Sequence, residues 1–184
     1  MQWNQTVVLK NGQKCTLRSG TQEDAKAVYE NFLLTHAQTD FLLSYPEENS
    51  FTVEQEGEFL RARAEDAHEL ELLAVVNGSV VGMAGIDAVG RKQKVRHRAT
   101  FSISVDRAYW GLGIGRALTE ACLEAARHAG YQQLELEVVR ENRAAIALYE
   151  SVGFREYGRN PRGFLSKHSG WQELVLMRLE LLPG

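Results

Sequence analysis

The sequence has few cysteines and prolines and no long apolar run. Of its 184 residues three are proline and two are cysteine, Cys15 and Cys122, and no Cys-x-x-Cys pair occurs. The cysteines are far apart and have no partner motif, so we expect reduced, buried thiols in a cytoplasmic protein. The five histidines are scattered, so no metal site is predicted. No stretch reaches the roughly 18 apolar residues of a transmembrane helix, and the amino terminus does not resemble a signal peptide.

A strong excess of one charge is also missing. The chain holds 21 Lys and Arg against 24 Asp and Glu, which gives a net charge of −3. Proteins that wrap nucleic acid are usually basic, so we expect no nucleic-acid partner, and nothing indicates a membrane partner. A composition with 44% hydrophobic and 24% charged residues is that of an ordinary globular chain. The length fits one domain over residues 1–184.

Short strands and helices alternate along the chain. Apolar patterns predict helices from Thr21, from about 52 to 63–65, from 114 to 129 and from 142 to 150, and strands at 14–18, 70–76, 80–87, 99–105, 134–139, from 154 and at 173–181. Asn77-Gly78 between two aliphatic runs predicts an antiparallel hairpin. Gly82 and Gly85 indicate close backbone approach in its second strand. The strand, helix and strand of 99–139 predict a parallel crossover, so the fold class is α/β (α+β) with a mixed sheet.

Three alternating glycines, Gly111, Gly113 and Gly115, stand at the entrance to the helix predicted from 114. Without Cβ atoms the backbone can turn so that successive N–H groups converge, and the helix N-terminus adds partial positive charge. This pattern favours a phosphate or pyrophosphate site. The alternative is a tight connection in which the glycines serve geometry alone. A Rossmann fingerprint and a Walker A loop are excluded, because position 116 is Arg and no Gly-Lys-Ser/Thr follows.

A second pattern lies downstream, Asn-x-x-Ala-x-x-Leu-Tyr-x-x-x-Gly-Phe, formed by Asn142, Ala145, Leu148, Tyr149, Gly153 and Phe154. With the glycine turn before it, this pattern resembles the core of the GCN5-related N-acetyltransferase (GNAT) family over residues 99–157. That family's turn reads Arg/Gln-x-x-Gly-x-Gly/Ala, and this chain matches at Gly113 and Gly115 but has Trp110 where Arg or Gln is usual. Because the turn works through backbone N–H groups, we expect Trp110 to alter packing more than binding.

The resemblance implies the GNAT-type acyl-CoA N-acyltransferase fold, a mixed, mostly antiparallel sheet with a splayed parallel strand pair, flanked by helices. It implies acetyl-CoA as the donor, a cofactor-binding core at about 99–157 and acceptor-site elements at about 21–70. The strand residues Ile103, Ser104 and Val105 would bind the pantetheine arm. Asn142 would cap the next helix and reach toward the cofactor. The turn would hold the pyrophosphate with Trp110, Gly111, Leu112, Gly113, Ile114, Gly115 and Arg116.

The activity that the resemblance implies is transfer of an acetyl group to a primary amine of a small molecule or a protein, by direct attack through a tetrahedral intermediate. Tyr149 is the catalytic candidate and a cofactor contact, since a phenol can protonate the leaving CoA thiolate. Alternatively, Tyr149 packs in the core with its hydroxyl on a backbone carbonyl. The candidates for the general base are Glu71, His97, Asp106, Glu137 or a water molecule. The alternative function is a non-catalytic acyl-CoA-binding or sensor protein on the same fold.

Two segments have an uneven charge. The stretch 37–60 holds six acidic residues and no Lys or Arg, which favours a cationic amine as acceptor if the stretch borders that site, or else a solvated acidic surface. The basic run 91–98 has five Lys and Arg and no interleaved aromatic residue, which is typical of a solvated loop. The terminal strand at 173–181 offers an edge through which a homodimer can form.

Overall fold

One sheet of eight strands organises the molecule in a computed structural model, which describes residues 1–181. The strands are β1 (Asn4–Val8), β2 (Lys14–Ser19), β3 (Leu70–Val76), β4 (Ser79–Ala88), β5 (Arg98–Val105), β6 (Gln133–Val139), β7 (Arg155–Ser166) and β8 (Gly170–Glu180). The helices are α1 (Ala25–Gln38), α2 (Val53–Glu65), α3 (Ile114–His128) and α4 (Arg143–Ser151). Short 3₁₀ turns cover Gln22–Asp24, Pro46–Glu48 and Arg107–Tyr109.

The strand order is β1-β2-β3-β4-β5-β6-β8-β7, and only β5 and β6 run parallel among these pairs. The hairpin predicted at Asn77-Gly78 is confirmed, with φ angles of 50° and 82° that a tight hairpin turn requires. The parallel crossover through α3 is confirmed as well. The sequence pattern missed β1, an edge strand that is mostly exposed and therefore lacks an apolar alternation.

The sheet has a separate apolar core on each face. On one face α3 and α4 cover a large cluster that includes Leu72 of β3 and Phe101 of β5. On the other face α1 and α2 cover a smaller cluster of Val28, Leu60 and Leu73. Leu72 and Leu73 are neighbours in β3 and point to opposite faces, as strand geometry requires. Each such fully buried leucine contributes about 1.5–3 kcal/mol of hydrophobic stabilisation.

Side chains fix where the helices of the smaller core begin. Thr52 starts α2 with a capping box, because its hydroxyl accepts from the Gln55 amide at 3.3 Å and the Gln55 side chain accepts from the Thr52 amide at 2.9 Å. At the entrance to α1, Asp24 accepts from the Thr21 amide at 2.9 Å and pairs with Arg18 of β2 through both carboxylate oxygens. The Arg18 guanidinium lowers the pKa of Asp24 to about 2.

The expected dimer edge at 173–181 is wrong for the described residues. β8 lies inside the sheet, hydrogen-bonded to β6 on one side and to β7 on the other, so its backbone groups are already paired. The edge strands are β1 and β7. Cys15 and Cys122 are buried and unpaired within residues 1–181, as expected. No helix within the described part of the chain is long and apolar enough to cross a membrane.

Candidate active site

The parallel strands β5 and β6 separate along their length. Their pairing begins at Arg98 with Gln133 and ends at Thr100 with Glu135, although each strand continues for several residues. Beyond Thr100 the edge of β5 that faces β6 has no strand partner within residues 1–181, and this part contains Ile103, Ser104 and Val105. The structure thus has the splayed pair that the family resemblance implies, with the residues expected to bind pantetheine in the open part. An extended ligand arm with amide groups can pair with such a strand edge.

The glycine turn lies between the open end of β5 and α3. Gly111 and Gly113 have φ angles of 76° and 102°, which residues with a Cβ rarely adopt, and Gly113 is the N-cap of α3. The first helical hydrogen bond is from the amide of Ala117 to the carbonyl of Gly113 at 3.0 Å. The amides of Ile114, Gly115 and Arg116 precede it and have no acceptor within the helix, so they are available to an anion.

Trp110 is attached to the strand that precedes the turn. Its indole N–H donates to the carbonyl of Val105 at 2.7 Å, and the Arg107 guanidinium stacks over the ring at 5.4 Å. Arg107 in turn donates to the carbonyl of Gln38 at the end of α1. The indole N–H is therefore hydrogen-bonded to a carbonyl of the segment that is predicted to bind pantetheine. From the sequence we expect Trp110 to affect packing. The sequence does not predict its hydrogen bond to β5.

Tyr149 lies in α4 and is 7% exposed. Its ring packs edge-on against Phe101 of β5, with centroids 6.1 Å apart, and against Phe154 at 5.8 Å. Burial raises the pKa of the phenol to about 12, so the hydroxyl keeps its proton at neutral pH. Within residues 1–181 that hydroxyl has no hydrogen-bond partner, although it is not completely enclosed. The alternative of a backbone carbonyl as its partner is therefore not observed.

Two other predicted cofactor residues have local partners. The Asn142 side-chain oxygen accepts from the amide of Ala145 at 3.3 Å, which confirms that Asn142 caps α4. Such a cap contributes about 1 kcal/mol of helix stability. Arg116 is exposed on the first turn of α3 and donates to the hydroxyl of Ser151 at 2.8 Å. This contact joins the two helices that flank the open part of β5.

The four candidate bases lie in different surroundings. His97 is in the loop before β5, at the end of that strand opposite the glycine turn. Asp106 accepts from the side chain of Gln38 at 2.9 Å and from the amide of Ala108 at 3.1 Å, so it serves as a cap. Glu137 is exposed on β6 beyond its last pair with β5. Glu71 is half-buried on β3 and lines a cavity beneath α1 and α2.

The acidic residues of the stretch 37–60 make different contacts. Asp40 accepts from Ser166, Ser169 and Gln172, and so fastens the loop after α1 to the hairpin of β7 and β8. Glu47 pairs with Lys167 at the tip of that hairpin. A cavity of about 510 Å³ lies between this junction and Trp110. The interpretation of a uniformly solvated acidic surface is therefore wrong for part of the stretch.

The basic run 91–98 is a loop whose residues are mostly exposed. Arg98 begins β5 and pairs through two guanidinium nitrogens with Glu135 at the start of β6. This ion pair lies where the two parallel strands are still joined. The interpretation of the run as a solvated loop is therefore correct for most of its residues.

Several residues around these cavities were not identified from the sequence. Phe32, Phe51 and Glu56 come from α1, a loop and α2, and they share the cavity that Glu71 lines. The one available signal was Glu56, because it lies one helical turn before Leu60 on the apolar face of α2. An acidic residue at such a position is uncommon unless it has a partner or a function.

Comparison with known proteins agrees with this geometry. The model of the "Acetyltransferase (GNAT) family" matches residues 27–154. A solved acetyltransferase of the GNAT family from Streptococcus pneumoniae superposes with a TM-score of 0.86 at 28% identity, covering 90% of this chain and 99% of that one. A Salmonella typhimurium yncA structure, described with its cofactor acetyl-CoA, has a TM-score of 0.80 at 24% identity, which shows the fold, and covers 92% and 95% of the two chains. The chain therefore belongs to the GNAT acetyltransferase family.

Among curated relatives, N-alpha-acetyltransferase RimI of Mycobacterium tuberculosis is 44% identical over 85 residues, 46% of this chain and 51% of that protein. The Escherichia coli K12 [Ribosomal protein bS18]-alanine N-acetyltransferase is 40% identical over 90 residues, 48% of this chain and 60% of that protein. These alignments cover about half to three fifths of each relative's length. They support the relationship of the shared core and do not identify the acceptor of this chain.

Proposed function

We propose that the protein is an acetyl-CoA-dependent N-acetyltransferase that acts on a primary amine. The observation that carries the proposal is the open edge of β5 between a glycine-built anion site and the protonated phenol of Tyr149. The residues present fit acetyl-CoA. The free amides at the start of α3 suit its pyrophosphate, and the unpaired part of β5 suits its amide-containing arm. Relatives named as N-acetyltransferases support the same assignment.

In this proposal the amine nitrogen attacks the thioester carbon, and the carbon–sulfur bond breaks after a tetrahedral intermediate. Bound acetyl-CoA supplies the activated acetyl group. The protein orients it along Ile103–Val105 and at the turn Trp110–Arg116. Tyr149 gives its proton to the leaving sulfur, and its raised pKa keeps that proton in place until the sulfur develops negative charge. The amine passes a proton to water or to one of the candidate bases, and the Tyr149 phenolate takes up a proton from water before the next turnover.

Thiol release from acetyl-CoA tests the proposal. The wild-type protein is mixed with acetyl-CoA and a panel of amines, amino acids and alanyl peptides, and free thiol is followed with a thiol-reactive dye. CoA binding is measured in parallel by calorimetry. We expect CoA to bind and thiol to appear with at least one class of amine. Binding without turnover across the panel supports the alternative of an acyl-CoA sensor, and absence of CoA binding contradicts both.

A further inference from the structure

A second cavity, of about 310 Å³, lies on the face of the sheet covered by α1 and α2. Aromatic rings line much of it, from Phe32 in α1, Phe51 before α2 and Phe59 in α2. Two carboxylates, Glu71 of β3 and Glu56 of α2, line it as well. A volume of this size is at the lower end for small-molecule sites, and apolar walls with a few polar groups are typical of them.

Neither carboxylate has a direct partner among the described residues. Within residues 1–181 the side chains of Glu56 and Glu71 form no ion pair and no hydrogen bond, although Glu56 is only 8% exposed. Their neighbours differ, because Glu69 and Asp87 share the guanidinium of Arg63. Glu56 is nearly enclosed and Glu71 is half-buried, so water solvates these carboxyl groups less than on an open surface, and a bound cation would stabilise their ionised forms.

Burial and neighbouring charges shift the pKa of both carboxyl groups upward. The pKa of Glu71 is raised to about 8, mainly by burial, with Asp87 and Glu56 adding to the rise and Arg63 opposing it. Burial also raises the pKa of Glu56. Glu48 contributes a third carboxyl group to the lining. The lining itself contains no Lys or Arg among the described residues.

Glu71 reaches toward the open part of β5 because Gly85 has no side chain. A Cβ added to Gly85 would lie 2.8 Å from the Glu71 carboxylate oxygen and 3.3 Å from the Ser102 hydroxyl. Glu71, Gly85 and Ser102 are paired across β3, β4 and β5. Ser102 lies two residues past Thr100, the last residue of β5 that pairs with β6. The carboxylate therefore lies over Gly85, beside the part of β5 that has no pairing with β6.

A polar atom separate from the acidic residues also lacks a partner in the cavity. The side-chain NH₂ of Asn49, a lining residue, is buried and donates to no acceptor within the described part of the chain. Buried donors are almost always satisfied in folded proteins, so an unsatisfied one at a cavity wall is expected to have a ligand or water as its acceptor.

We propose that this cavity binds the acceptor as a cationic primary amine on an apolar, aryl-sized arm, with no carboxylate next to the amine. Glu71 and Glu56 hold the ammonium group, and the rings of Phe32, Phe51 and Phe59 enclose the arm. This inference rests on the proposed function and names its substrate class. Glu71 and Glu56 would repel the carboxylate of an α-amino acid. We therefore expect this chain to differ from enzymes that acetylate α-amino acids.

Matched pairs of acceptors test the substrate class. Phenethylamine and phenylalanine differ only in the carboxylate, as do cadaverine and lysine. We expect kcat/KM at least tenfold higher for phenethylamine than for phenylalanine, and higher for phenethylamine than for cadaverine. An alanyl peptide serves as the probe for a protein amino terminus. Faster acetylation of phenylalanine or of the peptide than of phenethylamine overturns the inference and leaves the proposed function intact.

Variants of the two carboxylates test the binding role. At pH 9, where Glu71 is ionised, Glu71→Gln and Glu56→Gln should each raise KM for phenethylamine about tenfold, since each removes one charge from the ammonium site. CoA affinity should not change. The control is Glu58→Gln, which makes the same substitution at an exposed position of α2 and should behave as wild type. For the wild type, KM should fall as the pH rises through about 8, where Glu71 ionises. A loss of kcat with KM unchanged contradicts this role.

A binding measurement separates the two proposals. Phenethylamine is titrated into the wild-type protein and into Glu71→Gln by calorimetry, without acetyl-CoA. Binding that depends on Glu71, with no thiol release in the assay, shows an amine site in the cavity, contradicts the proposed function and overturns the assignment of that amine as an acceptor. Thiol release from acetyl-CoA with amines, but equal phenethylamine affinity in both proteins, supports the function and overturns the inference.

Discussion

The two faces of the sheet hold sites of different construction. On the side of α3 and α4 the proposed anion site consists of backbone amides, and its geometry depends on positive φ angles at Gly111 and Gly113. On the side of α1 and α2 the cavity consists of side chains, with Phe32, Glu56 and Glu71 contributed by different elements. A backbone site constrains residue types at fixed local spacing, whereas a side-chain cavity depends on residues that only the folded chain brings together.

The largest effect is expected from a substitution of Tyr149, the proposed proton donor. Tyr149→Phe removes the proton donor and keeps the ring packed against Phe101 and Phe154. We expect kcat to fall about 100-fold, within the usual range for general acid catalysis, with CoA affinity unchanged. Steady-state thiol release and calorimetry measure the two quantities. Turnover at the wild-type rate would show that Tyr149 only packs in the core.

The next effect tests whether the anion site is made by backbone geometry. Gly113→Val places a branched side chain at a φ of 102°, which distorts the turn before α3. We expect CoA affinity to fall about tenfold, the value of one charge-assisted hydrogen bond.

Gly130→Val is the matched control for the turn variant, because Gly130 has a φ of 81° with open space around it and lies after the far end of α3. It should cost similar stability, measured by urea unfolding, and leave CoA affinity at the wild-type value. Equal losses of affinity in both variants would mean that strain in α3, rather than the turn itself, controls binding.

The smallest effect concerns stability on the side-chain face. The folded state raises the pKa of Glu71 from 4.5 to about 8, so ionisation of this group opposes folding. The cost is absent below pH 4.5, grows as the pH rises and is complete above about 8. Glu71→Gln should therefore raise Tm by a few °C at pH 9 and have little effect at pH 4. A Tm difference that does not vary with pH would contradict the uncompensated carboxylate.

The same contrast explains what the sequence could predict. The turn at 111–115 and the cap at Asn142 were predictable, because backbone conformation imposes local requirements on residue type. The hairpin at Asn77-Gly78 was predictable for the same reason. Trp110 was identified as a departure, but its bond to Val105 depends on how the 3₁₀ turn directs the ring. The task of Asp40 depends on Ser166, which is distant in sequence.

The interior position of β8 was also beyond local patterns. Alternating apolar residues predicted the strand correctly, but nothing in that alternation specifies which neighbours it has. The chain passes from β6 through α4 and β7 before β8 returns to lie beside β6. β8 also pairs with β7 in a long hairpin, so both of its edges are occupied.

The hydrogen bond between Trp110 and Val105 places an indole at the strand edge where the proposed ligand would lie. An extended molecule that donates to the carbonyl of Val105 would share that oxygen with the indole or displace the indole, which also lies under Arg107. Occupancy of the strand edge is therefore coupled to the environment of one tryptophan that is 47% exposed. Its fluorescence emission should change as that edge fills, so the free and bound populations can be followed optically without a label.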